Sequence, residues 1–134
     1  MIAFATVEVS HHVVRAETNL PLTVDGQLLR VGVGVRLRNA QDEQKLGIAA
    51  FKHVVEHSVL HLAVGDFVLD AEVYKLPTPT SFGIPVVRPV TLDMPRVRRG
   101  DVVHLAIECA TPPECPVVLI VLVEIAEDAR PVLN

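Results

Sequence analysis

The chain of 134 residues is rich in aliphatic side chains and poor in aromatic ones: hydrophobic residues make up 50% of it and aromatic residues 4%. Its length is that of a single domain, residues 1–134, large enough to bury a real core. The formal net charge of −4 argues against a nucleic-acid partner, because such proteins normally carry a basic face.

The aliphatic content is high for a soluble monomer and predicts apolar patches on the surface. Large exposed patches of this kind usually mark contact surfaces. We therefore expect copies of the chain to associate into a homo-oligomer, and a trimer is one compatible state. The alternative is a well-filled core between two sheets with polar loops around it.

The first residues, Met1 to Phe4, begin a strand pattern and lack the charged segment that opens a signal peptide. We therefore expect synthesis in the cytosol. No apolar run is long enough for a membrane-spanning helix, and the longest, Pro116–Ala126, contains Glu124. We expect no membrane partner.

The N-terminal part of the chain predicts two strands and a turn. In Ile2–Val9, alanine and valine alternate with larger or polar residues, which is typical of a strand. His11–Val14 is a candidate continuation of this strand after Ser10. Leu20–Val24 predicts a short strand at a sheet edge, because Pro21 cannot donate to a ladder. Asp25-Gly26 then predicts a two-residue turn.

Leu28–Arg38 has the clearest amphipathic strand pattern in the chain. Valine and leucine recur on one face, whereas glycine and arginine recur on the other. Two alternating glycines would let another backbone, or a neighbouring subunit, approach closely; a bend in a curved sheet is the alternative. The candidate interface residues on this strand are Val31, Gly32, Val33 and Gly34.

Asn39–Leu46 is polar and predicts a loop or a helix start. Residues Asp42–His57 have apolar residues at helical spacing, which favours one helix, although Gly47 and the β-branched residues weaken that pattern. A pair of strands over the same residues is the competing interpretation.

Two similar units of turn and strand follow. Gly65-Asp66 precedes the predicted strand Phe67–Lys75, and Gly100-Asp101 precedes the predicted strand Val102–Cys109. Glycine followed by aspartate suits a turn. The likeness indicates two comparable units within a sandwich.

Most of the proline lies in Leu76–Pro95, which can be neither a helix nor a central strand. We predict an extended connection there that crosses between sheets and includes an edge strand near Ile84–Leu92. Pro116–Ala126 is apolar on both faces and predicts a central strand covered on both sides. Cys109 and Cys115 could meet across a hairpin, but we favour free, buried thiols.

Histidines are the only candidate metal ligands that the sequence suggests. His53, His57 and His61 are four residues apart, so a continuous helix would place three imidazoles on one face. However, the residues around His61 resemble a strand, and surface histidines explain the spacing more simply. A second set, His11 and His12 with His104, lacks the glycine-rich His-x-His motif of the barrel enzymes called cupins.

The sequence contains no motif for a catalytic nucleophile and none for a cofactor. Arg96, Arg98 and Arg99 form the one basic cluster, which we interpret as a solvated turn or a subunit contact because no aromatic residue lies nearby. Arg99-Gly100-Asp101 spells the tripeptide of integrin ligands, but its turn role explains it sufficiently. We expect a protein that is not an enzyme and binds no cofactor.

Short strands, a proline-rich crossover and excess aliphatic residues predict an all-β fold with at most one short helix. The expected architecture is an antiparallel β-sandwich of jelly-roll or Greek-key type. This pattern resembles small jelly-roll or β-sandwich structural proteins of virions, including phage head-decoration proteins. The resemblance implies a subunit that self-associates and stabilises a larger protein shell. The alternatives are a small cupin-like metal-binding enzyme and a ligand-binding sandwich module.

Overall fold

The computed structural model describes residues 1–37, 52–76, 94–114 and 116–129, and most of these residues are in strands. Side chains in most of these strands alternate between the interior and the surface, as the two-residue period of a half-buried sheet requires. The strands are β1 (Ile2–Val9), β2 (Arg15–Pro21), β3 (Gly26–Leu37), β4 (Ser58–Val64), β5 (Phe67–Glu72), β6 (Arg96–Val97), β7 (Val102–Cys109) and β8 (Val117–Glu127).

The strands form two antiparallel sheets of four, packed face to face. One sheet has the order β1-β8-β3-β6 and is called the β8 sheet; the other has the order β2-β7-β4-β5 and is called the β7 sheet. The first strand pairs with the last, the second with the seventh, the third with the sixth and the fourth with the fifth. This nested pairing is the jelly-roll arrangement, so the predicted fold class is confirmed.

Strand β8 lies at the centre of its sheet, between β1 and β3. Its inward side chains are 0–1% exposed; they are Val117, Leu119, Val121, Val123 and Ile125. The residues between them are only half-buried on the outer face, which points away from the other sheet. The prediction of a central strand is confirmed, but one of its faces is less covered than the other.

The interior between the sheets is aliphatic. Leucine, isoleucine and valine from all parts of the described chain form one cluster, and β7 contributes Val103, Leu105 and Ile107. Among the described residues, Ser58 is the one buried polar side chain, with 2% exposure. A core of this composition is held together by apolar burial and offers no polar cavity between the described strands.

Strand boundaries were predicted well for β1 and β7 and wrongly for β2. The second strand is Arg15–Pro21, not Leu20–Val24, and it begins after a turn in which Ser10 and Val13 exchange backbone hydrogen bonds. That turn also ends the proposed continuation over His11–Val14. Edge strands with polar outer faces, such as β2, carry only a weak apolar signal, here Ala16 and Leu20.

Asp25-Gly26 is not a hairpin turn, because β2 and β3 belong to different sheets. Gly26 instead starts β3 pressed against β8. A Cβ atom there would lie 2.2 Å from the carbonyl oxygen of Ala126. Glycine is therefore required by close contact between strands.

Residues 52–57 are helical, and β4 starts at Ser58. The helical interpretation of Asp42–His57 therefore holds for 52–57, while residues 42–51 lie outside the described part of the chain, as does the whole polar segment Asn39–Leu46. Val54 faces the core and is fully buried.

The two Gly-Asp turns have the predicted chemistry but different places in the fold. Gly65 and Gly100 both have positive φ, 56° and 95°, a backbone region that favours glycine. The first turn closes the β4–β5 hairpin within the β7 sheet, whereas the second crosses from β6 in the β8 sheet to β7 in the β7 sheet. The segment Leu76–Pro95 does connect the two sheets, as predicted; the expected strand near Ile84–Leu92 lies outside the described residues.

Candidate functional site

The outer face of the β8 sheet carries an apolar strip that continues onto the edge strand β1. The registers place Phe4 opposite Leu122, and Leu122 opposite Gly32, in one row across three strands. Phe4 is 66% exposed and its neighbour Ile2 is 42% exposed. These are large apolar side chains at the margin of a sheet, in the place where a contact surface would lie.

The candidate interface residues on β3 are covered in the single chain. Val31, Gly32, Val33 and Gly34 are all buried within the single chain. The two valines face the core, because β3 is paired with β8 in a register that turns them inward. Because all four residues are buried in the single chain, they present little surface to a partner.

The same outer face contains a shielded ion pair. Arg30 donates from Nε to a carboxylate oxygen of Glu124 on the neighbouring strand. Both side chains are 14% exposed, so their interaction is screened by water much less than a surface pair would be. This pair lies beside the apolar strip and ties β3 to β8.

The basic cluster lies around the turn between β6 and β7. Arg96 donates two hydrogen bonds of 2.5 Å to the carboxylate of Asp128, and this contact raises the pKa of Arg96. The backbone nitrogen of Arg98 donates to Asp101, and that of Arg99 to Asp25. Carboxylates thus organise the turn, and the side chains of all three arginines are exposed. Their role as interface candidates stays a prediction.

The structure does not bring the three histidines His53, His57 and His61 together as a helical stripe. The rings of His53 and His57 are adjacent, with centroids 4.6 Å apart. His61 lies on β4, where its Nδ1 is 2.5 Å from Asp70. In the described part of the chain, no group of three or more potential ligands is arranged for a metal ion.

The cupin-like set is likewise divided among other contacts. His11 and His12 pack edge to face, with centroids 5.5 Å apart. His104 lies on β7, with its Nδ1 2.7 Å from the side-chain oxygen of Asn19. Each of these imidazoles thus has a neighbouring side chain within the described part of the chain.

A polar row that the sequence did not reveal crosses the outer face of the β7 sheet. Arg15 on β2 donates to Glu108 on β7 at 2.9 Å. The same Glu108 oxygen is 3.4 Å from Nε2 of His61 on β4. The other ring nitrogen of His61, Nδ1, contacts the carboxylate of Asp70 on β5. Arg15 also bonds Glu17, and this bond, together with the bond to Glu108, raises the pKa of Arg15. The row links all four strands of the sheet.

A shallow, open depression of about 230 Å³ lies beside this row. Its floor contains Ala63 and Ala106, which stand opposite His104 and His61 in the strand register. The depression forms because these two small alanine side chains lie beside the larger histidine side chains. The polar side chains at its rim bond mainly to one another, so the row serves to join strands and the depression is not a formed ligand site.

Cys109 is a buried free thiol whose Sγ donates to the carbonyl oxygen of Thr111 at 3.0 Å. The free state predicted for it is confirmed, whereas Cys115 lies outside the described residues. Within those residues, no helix has both the length and the apolar character needed to cross a bilayer.

Comparisons with protein families, with curated proteins and with solved structures found no match to this chain. The assignment of function below therefore depends on the geometry of the described residues.

Proposed function

We propose that this chain is a non-enzymatic structural subunit that associates with copies of itself and stabilises a larger protein shell, as capsid-decorating proteins of virions do. Jelly rolls serve many functions, and capsid proteins are among them, so the fold is compatible with this role without identifying it.

The aliphatic interior supports a structural role. The described strands pack with leucine and valine where a cupin-like enzyme would need polar ligands inside its barrel. The described histidines are engaged with Thr111, Asp70 and Asn19, or with each other. Any action on another molecule is then to be sought on the surface.

The observation that carries the proposal is the exposure of Phe4, which is 66%, at the edge of the β8 sheet beside Ile2. Burying a phenylalanine side chain is worth about 1.5–3 kcal/mol, and most of that is unrealised in the single chain. Association that covers Phe4 and Ile2 would recover it.

Sedimentation velocity tests self-association directly. We expect the sedimentation coefficient to rise with protein concentration from the low micromolar range upward, towards a defined oligomer. A coefficient that stays at the value of a single chain over the whole range would contradict the proposal.

The shell-binding part needs its own measurement. Electron cryomicroscopy of virions purified from the source that encodes the chain is the test. We expect density for an eight-stranded sandwich on the outside of their protein shell. Particles that form fully and carry no such density, while the protein is present in the same cells, would contradict this part and leave self-association standing.

A further inference from the structure

We propose that β1 of one copy pairs with β1 of a second copy, antiparallel and around a two-fold axis at Ala5, so that the two β8 sheets become one continuous sheet. The inference rests on the proposed self-association and specifies its surface and its register.

Strand β1 is the least protected edge among the described strands. Proteins usually guard edge strands with charge, proline, a bulge or short length. Strand β6 has two residues, β2 ends in Pro21 and carries Arg15 and Glu17, and β5 carries Asp70 and Glu72. By contrast, β1 pairs with β8 without a bulge over its whole length, contains no proline, and has a single charged residue, Glu8, near its end.

The hydrogen bonds at the start of β1 show which backbone groups point away from β8. Met1 and Ile125 exchange both bonds: each nitrogen donates to the other residue's carbonyl oxygen at 2.8 Å. Such mutual pairs alternate along an antiparallel ladder. The residues directed to the open edge are therefore the even-numbered ones, Ile2, Phe4, Thr6 and Glu8.

This alternation determines the best register between two copies. A two-fold axis at Ala5 places Ile2 opposite Glu8 of the second copy, and Phe4 opposite Thr6 of the second copy. Every outward-directed residue of β1 then forms a mutually bonded pair. An axis at Phe4 or at Thr6 would leave part of each edge unpaired.

The same register places the two phenylalanines on one face. The Phe4 residues of the two copies become diagonal neighbours across the new strand pair, about 7–8 Å apart, a separation that aromatic side chains bridge. Their side chains lie on the outer face of the sheet, as does Ile2. The backbone edge and the exposed apolar side chains are thereby covered by one contact.

Two substitutions distinguish this contact from nonspecific hydrophobic association. Phe4→Lys places a charge at the edge, and we expect dimerisation at least tenfold weaker. Val68→Lys is the matched control, because Val68 is also 66% exposed and lies on the edge strand β5 of the other sheet. Val68→Lys should leave the dimerisation constant unchanged; an equal loss in both variants would overturn the proposal.

Thr6→Pro tests the backbone bonds. Its nitrogen is directed to the open edge, so the proline removes a bond between copies without removing one between β1 and β8. We expect a folded monomer with the circular dichroism spectrum of the unmodified chain. A folded Thr6→Pro variant that dimerises normally would overturn the proposal.

Cysteine cross-linking tests the register. At a non-hydrogen-bonded pair the Cα atoms are about 4.5 Å apart, within the range of a disulfide, so Ala5→Cys should give a covalent dimer on mild oxidation. In Ala3→Cys the two thiols would be offset by about 13 Å along the strand and should not join. The unmodified chain, oxidised in parallel, measures any contribution from the native cysteines.

The possible failures are distinguishable. A chain that remains monomeric at all concentrations contradicts both the proposed self-association and this contact. An oligomer in which Phe4→Lys has no effect and Ala5→Cys does not cross-link contradicts only the β1 contact.

Discussion

The outer faces of the two sheets have opposite characters. On the β7 sheet, the face is crossed by the polar row from Arg15 through Glu108 and His61 to Asp70, in which each side chain has a polar neighbour within the chain. On the β8 sheet, the corresponding face is mostly apolar, from Leu122 to the exposed ring of Phe4.

This difference indicates which face is complete in a single chain. Polar side chains that bond to one another and to water lose nothing when they stay at the surface. Exposed apolar side chains gain free energy when another surface covers them. The β8 sheet is therefore the side on which we expect a partner, and the β7 sheet is the side that remains in solvent.

The largest expected effect distinguishes the two faces of β8 itself. Leu119→Ala should lower the free energy of unfolding by about 2–5 kcal/mol, because its side chain is fully buried in the core. Ile120→Ala, on the half-buried outer face of the same strand, should cost clearly less. Urea denaturation of both variants as monomers measures the difference; equal losses would mean that the outer face is as well packed as the core.

The next effect compares the charged pairs of the two sheets. Glu124→Gln weakens the shielded pair with Arg30, and we expect the free energy of unfolding to fall by about 1–3 kcal/mol. Glu108→Gln should cost less, because Glu108 and Arg15 are about half exposed.

Salt provides the control for that comparison. In 1 M salt the Debye length is about 3 Å, so the effect of Glu108→Gln should shrink strongly, whereas that of Glu124→Gln should persist. A Glu124→Gln effect that vanishes with salt would contradict the shielding of that pair.

The smallest effect concerns Glu72 and Lys75, at the end of β5. Lys75 bonds Glu72 at 2.8 Å and lowers the pKa of that carboxyl from its ordinary value of 4.5. The folded state therefore favours the ionised carboxylate, and the resulting stability is present above pH 4.5 and is lost as the pH falls. The small difference in Tm between the unmodified chain and Glu72→Gln should thus be larger at pH 7 than at pH 3. A difference that is the same at both values would show that the ion pair does not stabilise the fold.

Local patterns predicted the strands that bury one full face. Ile2–Val9 and Val102–Cys109 were delimited from alternation alone, and Pro116–Ala126 was recognised as central because it is apolar on both faces. The polar strand Arg15–Pro21 was not predicted, because only two of its side chains enter the core. Alternation of apolar and polar residues reveals a strand only where one face is buried, and an edge strand with a solvent-exposed face buries few side chains.

The sites depended on register, which no local pattern supplies. Gly32 was a candidate for contact with a neighbouring subunit, with a bend in the sheet as the alternative, and it is buried within its own chain. His61 was grouped with His53 and His57 by spacing, but β4 starts at Ser58 and carries it to Asp70. The polar row joins residues up to 93 positions apart in the chain, so it exists only once the strands have paired.

The order of residues alone determined the class of fold, the apolar central strand and the two glycine turns, because these follow from side-chain period and backbone freedom over a few neighbouring positions. The tertiary structure decided which apolar residues were left outside and which polar residues found each other. Those outcomes depend on how distant strands pair, and a shift of one residue in that pairing would have exchanged the inner and outer faces.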